Sequence, residues 1–210
     1  TILNLGLNEK TVEGLAEQTK NPRFSWDSYR RFIQIFGKVV FDVNDEKFDH
    51  ILDVAKEKQG VTDDSKLNVE SLKTISSEYK KICEEYTKRK FPDTPDEQLV
   101  LAIEAVFKSW MGERAIVYRE KNNITKDIAS GTAVNIVAMV FGNMGDDSAT
   151  GVVFTRNGHN GKKEMEGEYL INAQGEDVVA GVRTGMNIEL LKKDMPKSYK
   201  ELSSACTKLE

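Results

Sequence analysis

Two glycine-rich stretches in the last third of the chain hold the residues best suited to contacting a ligand. The first, GNMGDDSATGVVF, places Gly142, Gly145 and Gly151 around an acidic pair and ahead of an apolar run. The second, GEYLINAQGEDVVAG, places a polar turn with Gln174 and Glu176 between two apolar segments. A glycine-rich turn lets bare backbone approach a ligand before the chain re-enters a sheet. The pattern indicates either a nucleotide- or phosphate-binding sheet edge or two plain β-hairpins.

Neither stretch matches an established phosphate-binding fingerprint. The chain contains no GxxxxGK[ST], and its glycines do not have the spacing of a dinucleotide-binding turn. Backbone amides in the loop 145–150 could form an anion nest, but the carboxylates of Asp146 and Asp147 oppose direct phosphate contact unless a metal intervenes. Judged by residue pattern alone, the two hairpins are favoured.

Composition and charge narrow the classes of function. The net charge is only −4, with 30 lysines and arginines against 34 acids, so a nucleic-acid partner is not expected. There is no apolar run of 18 residues and no signal-peptide pattern, which predicts a cytoplasmic protein without a membrane span. Cys83 and Cys206 lie far apart in helical patterns, which favours reduced thiols over a disulfide.

Helical periodicity covers the first part of the chain. Predicted helices begin near Asn8, Ser25, Asp45, Asn68, Thr94 and Ala115. In the fifth of them, the apolar residues are expected to face the core, namely Leu99, Ile103, Val106, Phe107 and Trp110. These helices are interpreted as packing elements without chemistry of their own.

The periodicity changes near Gly131. Strands are predicted over 133–141, 151–155, 167–172 and 177–182, and a last helix begins at Pro196. The sequence therefore predicts an α+β fold, with a mainly helical subdomain over residues 1–125 and an α+β subdomain over residues 126–210.

A family resemblance is carried by long motifs. The segments TILNLGLN, NPRFSWDSYRRFIQ, AVFKSW, RAIVYRE, GTAVN, MVFGN and GEYLINAQGEDVVAGVRT are similar to the N-terminal nucleotide-binding domain of the pyruvate phosphate dikinase family. The resemblance implies an ATP-grasp-like fold, of which residues 126–210 would be an incomplete subdomain. It also implies ATP and Mg²⁺ as cofactors. The implied parent reaction interconverts ATP, phosphate and pyruvate with AMP, pyrophosphate and phosphoenolpyruvate, through a phosphohistidine on another domain.

The same resemblance implies where the nucleotide would lie. Adenine is expected in a cleft between two subdomains, beside the segment 135–142, where one backbone amide and one carbonyl would face its edge. Met139 and Val140 are the candidates for these backbone contacts. Gly151 is expected close to the phosphates, behind the loop 145–150.

Three polar side chains complete the candidate site. Glu176 is the first choice, because a carboxylate there could accept from ribose hydroxyls or hold Mg²⁺ through water. Glu168 is second and Gln174 third. No catalytic residue and no direct metal ligand is assigned, and the roles of Arg31 and His159 stay open.

The resemblance further implies that the chain is a fragment. The family's phosphate-binding lysine and arginine and its Mg²⁺-binding acids lie outside this sequence, so the chain alone is expected to be inactive. The implied partners are a nucleotide, the central phosphohistidine domain of the same polypeptide and a second copy in a homodimer. The alternatives are a docking module for that histidine domain, the equivalent domain of a phosphoenolpyruvate synthase-like or rifampin phosphotransferase, and a ligand-free helical domain.

Overall fold

In the computed structural model, the chain divides between Met139 and Val140 into a helical unit and an α+β unit. The structure describes residues 1–179, 181 and 183–209. Helices and a small antiparallel sheet together confirm the predicted α+β class. The predicted subdomain boundary, after residue 125, falls inside the first unit.

The helical unit consists of the helices α1 Glu9–Thr19, α2 Pro22–Phe41, α3 Asp45–Gln59, α4 Val69–Thr87, α5 Pro95–Ser109 and α6 Glu113–Lys121. Local capping explains several of their ends. Asn8 and Thr11 cap α1 reciprocally, with each side-chain oxygen 2.8 Å from the other residue's backbone nitrogen. Thr94 caps α5, and Gly60 ends α3 with a φ of 71°. These starts and stops were predicted correctly.

The start of α2 differs from the prediction. Asn21, not Ser25, is the cap, because its side chain accepts from the backbone amide of Phe24 at 3.1 Å. Pro22 then occupies the first helical position, where its fixed φ suits the helix and no amide is needed. Ser25 lies one turn inside and donates its hydroxyl to the carbonyl of Asn21 at 3.2 Å.

The core of the helical unit is built mainly by α2 and α4. Its fully buried members include Phe24, Tyr29, Phe32, Ile33, Phe36, Phe48, Leu72, Ile75 and Tyr79. The ring centroids of Phe32 and Phe36 lie 5.3 Å apart, and that of Phe91 lies 5.5 Å from Phe36. Such tilted and edge-on aromatic pairs stabilise a core beyond the area that they bury.

α5 does not bury the face that was predicted to point inward. Phe107 is 53% exposed, and the other four predicted core residues of this helix are only half-buried. The residues that α5 buries are Gln98 and Ala102. Periodicity locates an apolar face correctly, but it carries no information about whether anything covers that face.

The α+β unit contains β1 Ala149–Phe154, β2 Glu166–Ile171, α7 Gly175–Val179, β3 Met186–Asn187, α8 Leu191–Asp194 and α9 Pro196–Leu209. The strands pair antiparallel in the order β1-β2-β3. Tyr169 packs on one sheet face with Ile188 and Leu191, and Leu170 packs on the other with Ala173 and Val178. The strands predicted over 151–155 and 167–172, and the helix from Pro196, are confirmed.

Two predicted strands are wrong. The segment 133–141 is in no strand, since no other segment of the described chain pairs with it. Within the predicted strand 177–182, the structure instead has the end of α7, and positions 180 and 182 lie outside the described residues. Gln174 and Asp177 start that helix: the Asp177 carboxylate accepts from the Gln174 amide at 2.9 Å, and the Asp177 amide donates back to the Gln174 carbonyl at 3.0 Å.

Candidate functional site

The two glycine-rich stretches meet in space. The loop 142–148, between the segment 133–141 and β1, lies beside residues 172–177. These residues, called turn 172–177, follow β2 and include the first turn of α7. The Ala173 amide donates to the Gly142 carbonyl at 2.9 Å, and the Asn172 amide donates to the Ser148 carbonyl at 2.9 Å. Backbone bonds of this kind join loop and turn into one polar platform at the end of the sheet.

Ser148 folds the loop 142–148 around its own hydroxyl. Its Oγ accepts from the amides of Met144 and Gly145 at 3.0 and 3.1 Å, and it lies 2.8 Å from the Gly145 carbonyl oxygen. Two amides that could have faced an anion therefore already have a partner within the loop. This role of Ser148 was not predicted from the sequence.

Close backbone approach explains two of the glycines. A Cβ on Gly142 would lie 2.5 Å from the Ala173 carbonyl oxygen and 2.8 Å from that of Ala149. Gly151 lies in the middle of β1 opposite Tyr169, and a Cβ there would lie 2.6 Å from the Glu168 carbonyl oxygen. Both positions require glycine for packing, whatever ligand the platform takes.

Gln174 joins the loop to the turn. It is 1% exposed, and its Nε2 donates to Asn143 Oδ1 at 3.3 Å. Glu176 follows in the first turn of α7 and is half-buried. The reciprocal cap formed by Gln174 and Asp177 fixes the backbone that carries Glu176.

Glu168 lies in β2 opposite Asn187 of β3 and is exposed. Side chains alternate along a strand, so Glu168 shares a sheet face with Leu170, the face against which α7 packs. Its carboxylate also approaches Gly185, where an added Cβ would collide with Glu168 Oε2. Glu168 and α7 thus lie on the same side of the sheet.

Met139 and Val140 are placed differently. Met139 is the last residue of the helical unit and is half-buried, whereas Val140 is the first residue of the α+β unit and is 89% exposed. Neither lies in a strand, because the segment 133–141 has no pairing partner in the described chain.

A mostly apolar cavity of about 360 Å³ lies within the α+β unit. β1 lines it together with Tyr169, and the other wall comes from Ile188, Leu191 and Leu202. Val140 and Gly151 also lie on its wall, whereas Glu168, Gln174 and Glu176 do not. Val140 and Gly151 therefore lie on this cavity and Gln174 and Glu176 on the polar platform, whereas Met139 and Glu168 belong to neither.

Arg183 was also missed. Its guanidinium donates to the carbonyls of Asn172 and Ile171 at 3.2 and 3.4 Å, where β2 ends and the turn 172–177 begins. Arg183 lies close to the second glycine-rich stretch in sequence, but its partners are backbone carbonyls, and no residue spacing signals such a bond.

Comparison with known proteins decides the family. The model of the family described as pyruvate phosphate dikinase, AMP/ATP-binding domain, matches residues 1–209. The chain belongs to this family. The resemblance that the motifs indicated is confirmed.

Pyruvate phosphate dikinases from distant organisms are similar to the whole chain. It is 52% identical to the enzyme of Clostridium symbiosum, with 100% of the chain matched to 24% of that enzyme. It is 51% identical to the enzyme of Entamoeba histolytica, again over 24% of the relative, and 50% identical to a chloroplastic enzyme of Arabidopsis thaliana, over 22%. The chain therefore spans about a quarter of the length of these phosphotransferases.

Membership of a phosphotransferase family draws attention to Arg31, which lies within a family-like motif. Its side chain is 11% exposed and is held by two carboxylates, Asp27 Oδ2 at 3.3 Å and Asp64 Oδ2 at 3.4 Å. Arg30 shares both partners, with its Nη2 at 2.7 Å from Asp27 Oδ1 and 3.3 Å from Asp64 Oδ2. The structure places Arg31 in a buried ion network of the helical unit.

His159 lies in an exposed loop, and its Nε2 is 4.0 Å from Glu166 Oε1. Across the described residues, no three His, Cys, Asp or Glu side chains are grouped so that they could hold a metal ion. Within the same part of the chain, none of the helices combines the length and apolarity needed to cross a membrane.

Proposed function

We propose that this chain supplies part of the ATP-binding site of a full-length enzyme that interconverts ATP, phosphate and pyruvate with AMP, pyrophosphate and phosphoenolpyruvate. The observation that carries the proposal is the junction of loop 142–148 with turn 172–177 in a member of a nucleotide-binding family. The junction fixes a backbone platform that carries the Glu176 carboxylate in the first turn of α7. Electrostatic positioning of this kind is what phosphoryl transfer requires of a protein.

Glu176 is the side chain with the most direct role in this proposal. It is half-buried in the first turn of α7, whose start is held by the bonds between Gln174 and Asp177. A carboxylate held in this way can accept hydrogen bonds from the ribose hydroxyls of a bound nucleotide. Gln174 acts behind it, since its side chain is buried and ties the turn to Asn143.

In this proposal, Mg²⁺ is the ion that the protein and the bound nucleotide share. Carboxylate oxygens are ligands that Mg²⁺ accepts, and it commonly binds to one or two carboxylates together with the phosphates of a nucleotide. Glu176 is the residue that would help to hold it, through water. The ion would neutralise phosphate charge during transfer.

The backbone of Met139 and Val140 would contact the adenine edge, and Gly151 would allow the phosphates to approach. In this proposal the segment 133–141 gains a strand partner when the ATP-grasp-like subdomain is complete. The phosphoryl group would pass to a histidine on a central domain of the same polypeptide, in a cytoplasmic homodimer.

The experiment measures two half-reactions of the full-length enzyme separately. One is phosphorylation of the histidine by ATP, and the other is phosphoryl transfer between the phosphohistidine and pyruvate. Glu176→Ala should slow formation of the phosphohistidine from ATP and leave transfer between the phosphohistidine and pyruvate unchanged, because the nucleotide site and the pyruvate site are distinct. Glu164→Ala, at an exposed loop carboxylate, is the matched control and should change neither half-reaction. A parallel loss of both half-reactions in Glu176→Ala would contradict a nucleotide-binding role and indicate a damaged fold.

A further inference from the structure

A run of large apolar residues is exposed on α5, on α6 and in the turn between them. The α5–α6 face consists of Val100, Phe107, Met111, Val117 and Tyr118, which are 40 to 67% exposed. Single exposed apolar residues are ordinary, but a concentration of them on neighbouring elements marks an interaction surface. Phe107 and Tyr118 alone, each more than half exposed, present on the order of 200 Å² of surface.

α5 fully buries one polar and one small residue, whereas two of its large apolar residues, Val100 and Phe107, are more than half exposed. Gln98 is fully buried: its Oε1 accepts from the Gly6 amide at 2.9 Å, and its Nε2 donates to the Leu7 carbonyl at 3.0 Å. Ala102, one turn later, is the other buried residue of the helix. Val100 lies two positions from Gln98 and so projects from the opposite side of α5, as does Phe107. This inversion indicates that the second side of α5 also belongs to an interior.

The α5–α6 face is rigidly presented. Arg119 of α6 donates to the Trp110 carbonyl at 2.8 Å, and its guanidinium lies 4.0 Å from the centroid of the Trp110 ring. The turn itself is closed by backbone bonds from Met111 to Lys108 and from Gly112 to Ser109. A preorganised apolar surface loses little conformational entropy when it is covered.

The relatives indicate what covers this face. The chain matches 24% of the Clostridium symbiosum enzyme and 22% of the Arabidopsis thaliana enzyme, so about three quarters of such a polypeptide lies outside the matched part. The polar neighbours of the face carry both signs, with Glu104, Lys108, Glu113 and Arg114 among them. A mixed rim suits a protein surface better than an anionic membrane or a nucleic acid, which would favour a basic one.

We propose that the α5–α6 face packs permanently against an apolar surface of another domain of the same polypeptide, outside these 210 residues. In that arrangement α5 and α6 are helices of a shared core, with Gln98 and Ala102 on one side and Phe107 on the other. The inference concerns assembly of the polypeptide and does not depend on the nucleotide site.

Cysteine labelling tests the proposal. Met111→Cys places a thiol on the α5–α6 face, and Glu13→Cys places one on an exposed, polar part of α1 as the matched control. In the 210-residue chain, both variants should react with a maleimide at similar rates, above the slow background of the buried Cys83 and Cys206. In the full-length gene product, labelling at residue 111 should slow at least tenfold, and labelling at residue 13 should not change.

Several results would overturn the proposal. Equal labelling of Met111→Cys in the two proteins would show that no other domain covers the face. Protection already present in the 210-residue chain would assign the cover to residues 140–210 or, where it depends on concentration, to a second copy. A gene product limited to these 210 residues would also exclude it.

A second pair of measurements guards against a misfolded variant. Phe107→Ser combined with Tyr118→Ser should lower the unfolding temperature of the 210-residue chain only slightly, since both residues are already more than half exposed there. The same double variant should lower the unfolding temperature of the full-length protein by several degrees. Equal effects in the two proteins would contradict the proposal.

Discussion

The helical unit and the α+β unit are stabilised by different kinds of contact. The helical unit has a continuous core in which Phe32, Phe36 and Tyr79 are completely buried. The α+β unit has smaller clusters on the two faces of its sheet, around Tyr169 and around Leu170. The platform that carries the candidate site is held mainly by backbone bonds and by glycines that permit close approach. The comparison suggests that packing specifies the helical unit, whereas polar contacts specify the platform.

The two units also differ in the hydrogen bonds and ion pairs that their side chains make. The helical unit contains an ion network in which Arg30 and Arg31 share Asp27 and Asp64, and all of its members except Asp64 are buried or nearly so. Arg23 adds donors to the backbone, at 2.8 Å from the Asp64 carbonyl and 3.0 Å from that of Leu67. This network fastens the loop before α4 to α2. In the α+β unit, one of the corresponding links is the hydrogen bond from the Tyr169 hydroxyl to Asp194.

Amide hydrogen exchange should show the largest difference between the two units. Amides in the middle of α2 and α4 should exchange only through global unfolding, whereas those of the exposed residues 146–147 and of the exposed loop 158–161 should exchange through local opening at almost no cost. The gap corresponds to about 5 kcal/mol or more, the usual stability of a domain. Mass spectrometry of peptides from the exchanged chain measures it. Uniform protection across both units would contradict the comparison.

The second largest effect should follow from Asp27→Asn. This substitution leaves Arg30, which is 2% exposed, without its 2.7 Å carboxylate partner. Removing one member of a buried ion pair costs about 3–5 kcal/mol, because the remaining charge stays buried. Urea unfolding of the 210-residue chain, followed by circular dichroism, measures the change.

The matched control for that substitution is Asp53→Asn on α3. Asp53 also pairs with a basic residue, Lys56 at 2.7 Å, but its side chain is 70% exposed. An exposed pair contributes about 0–1 kcal/mol, so the control should lose little stability. Equal losses in the two variants would show that the interior network is not what stabilises the helical unit.

The acid dependence of stability should come next in size. Burial alone would raise the pKa of Asp27, but the charges of Arg30, Arg31 and Arg23 outweigh it and lower the pKa to about 2. Because the folded-state pKa lies below the ordinary value of 3.8, the contribution of Asp27 is complete above that value and is lost as the pH falls toward 2. It amounts to about 2 kcal/mol.

The measurement compares the wild-type chain with Asp27→Asn across that range. The difference between their free energies of unfolding should be constant from pH 7 to about pH 5 and should shrink between about pH 4 and pH 2. A difference that stays constant down to pH 2 would mean that the arginines do not lower the pKa of Asp27.

Local chemistry made much of the fold predictable. Asn8, Thr94 and Gly60 begin or end helices through groups within a few residues of themselves, so their sequence context is sufficient. The two strands of the hairpin were also predicted, since the apolar runs after Thr150 and Gly167 are flanked by turn residues. Asn21 shows the limit: the helix was predicted to begin near Ser25, although Asn21 and Pro22 start it one turn earlier.

The errors share one physical cause, which is dependence on distant atoms. A strand over 133–141 needs hydrogen-bond partners from another segment, and the core face of α5 needs a cover. The apolar pair Val178 and Val179 fits a strand or a helix, and the cap formed by Asp177 decides for the helix. At the candidate site, the glycines indicated close backbone approach within each stretch, but not that the two stretches meet. The roles of Ser148 and Arg183 were not predicted, because their partners are backbone atoms that only the folded chain brings near.

The smallest effect should come from Tyr169→Phe in the α+β unit. The Tyr169 hydroxyl donates to Asp194 Oδ2 at 2.5 Å, and burial together with that carboxylate raises the pKa of Tyr169 to about 12, so the proton stays on the hydroxyl. Phenylalanine preserves the ring against Ile188 and Leu191 but loses the bond. Asp194 is exposed and can rebind water, so the cost should be about 1 kcal/mol.

Exchange rates in β2, α8 and α9 should report that loss, and those in α2 and α4 should not change. Tyr199→Phe is the matched control, because its hydroxyl donates to the exposed Glu189 at 2.9 Å and water can replace it with less cost. Faster exchange in α2 and α4 of the Tyr169→Phe chain would show that the two units unfold together. In that case the contrast between a packed unit and a unit held by polar contacts would describe their contacts but not their stabilities, since the weaker unit would set the stability of both.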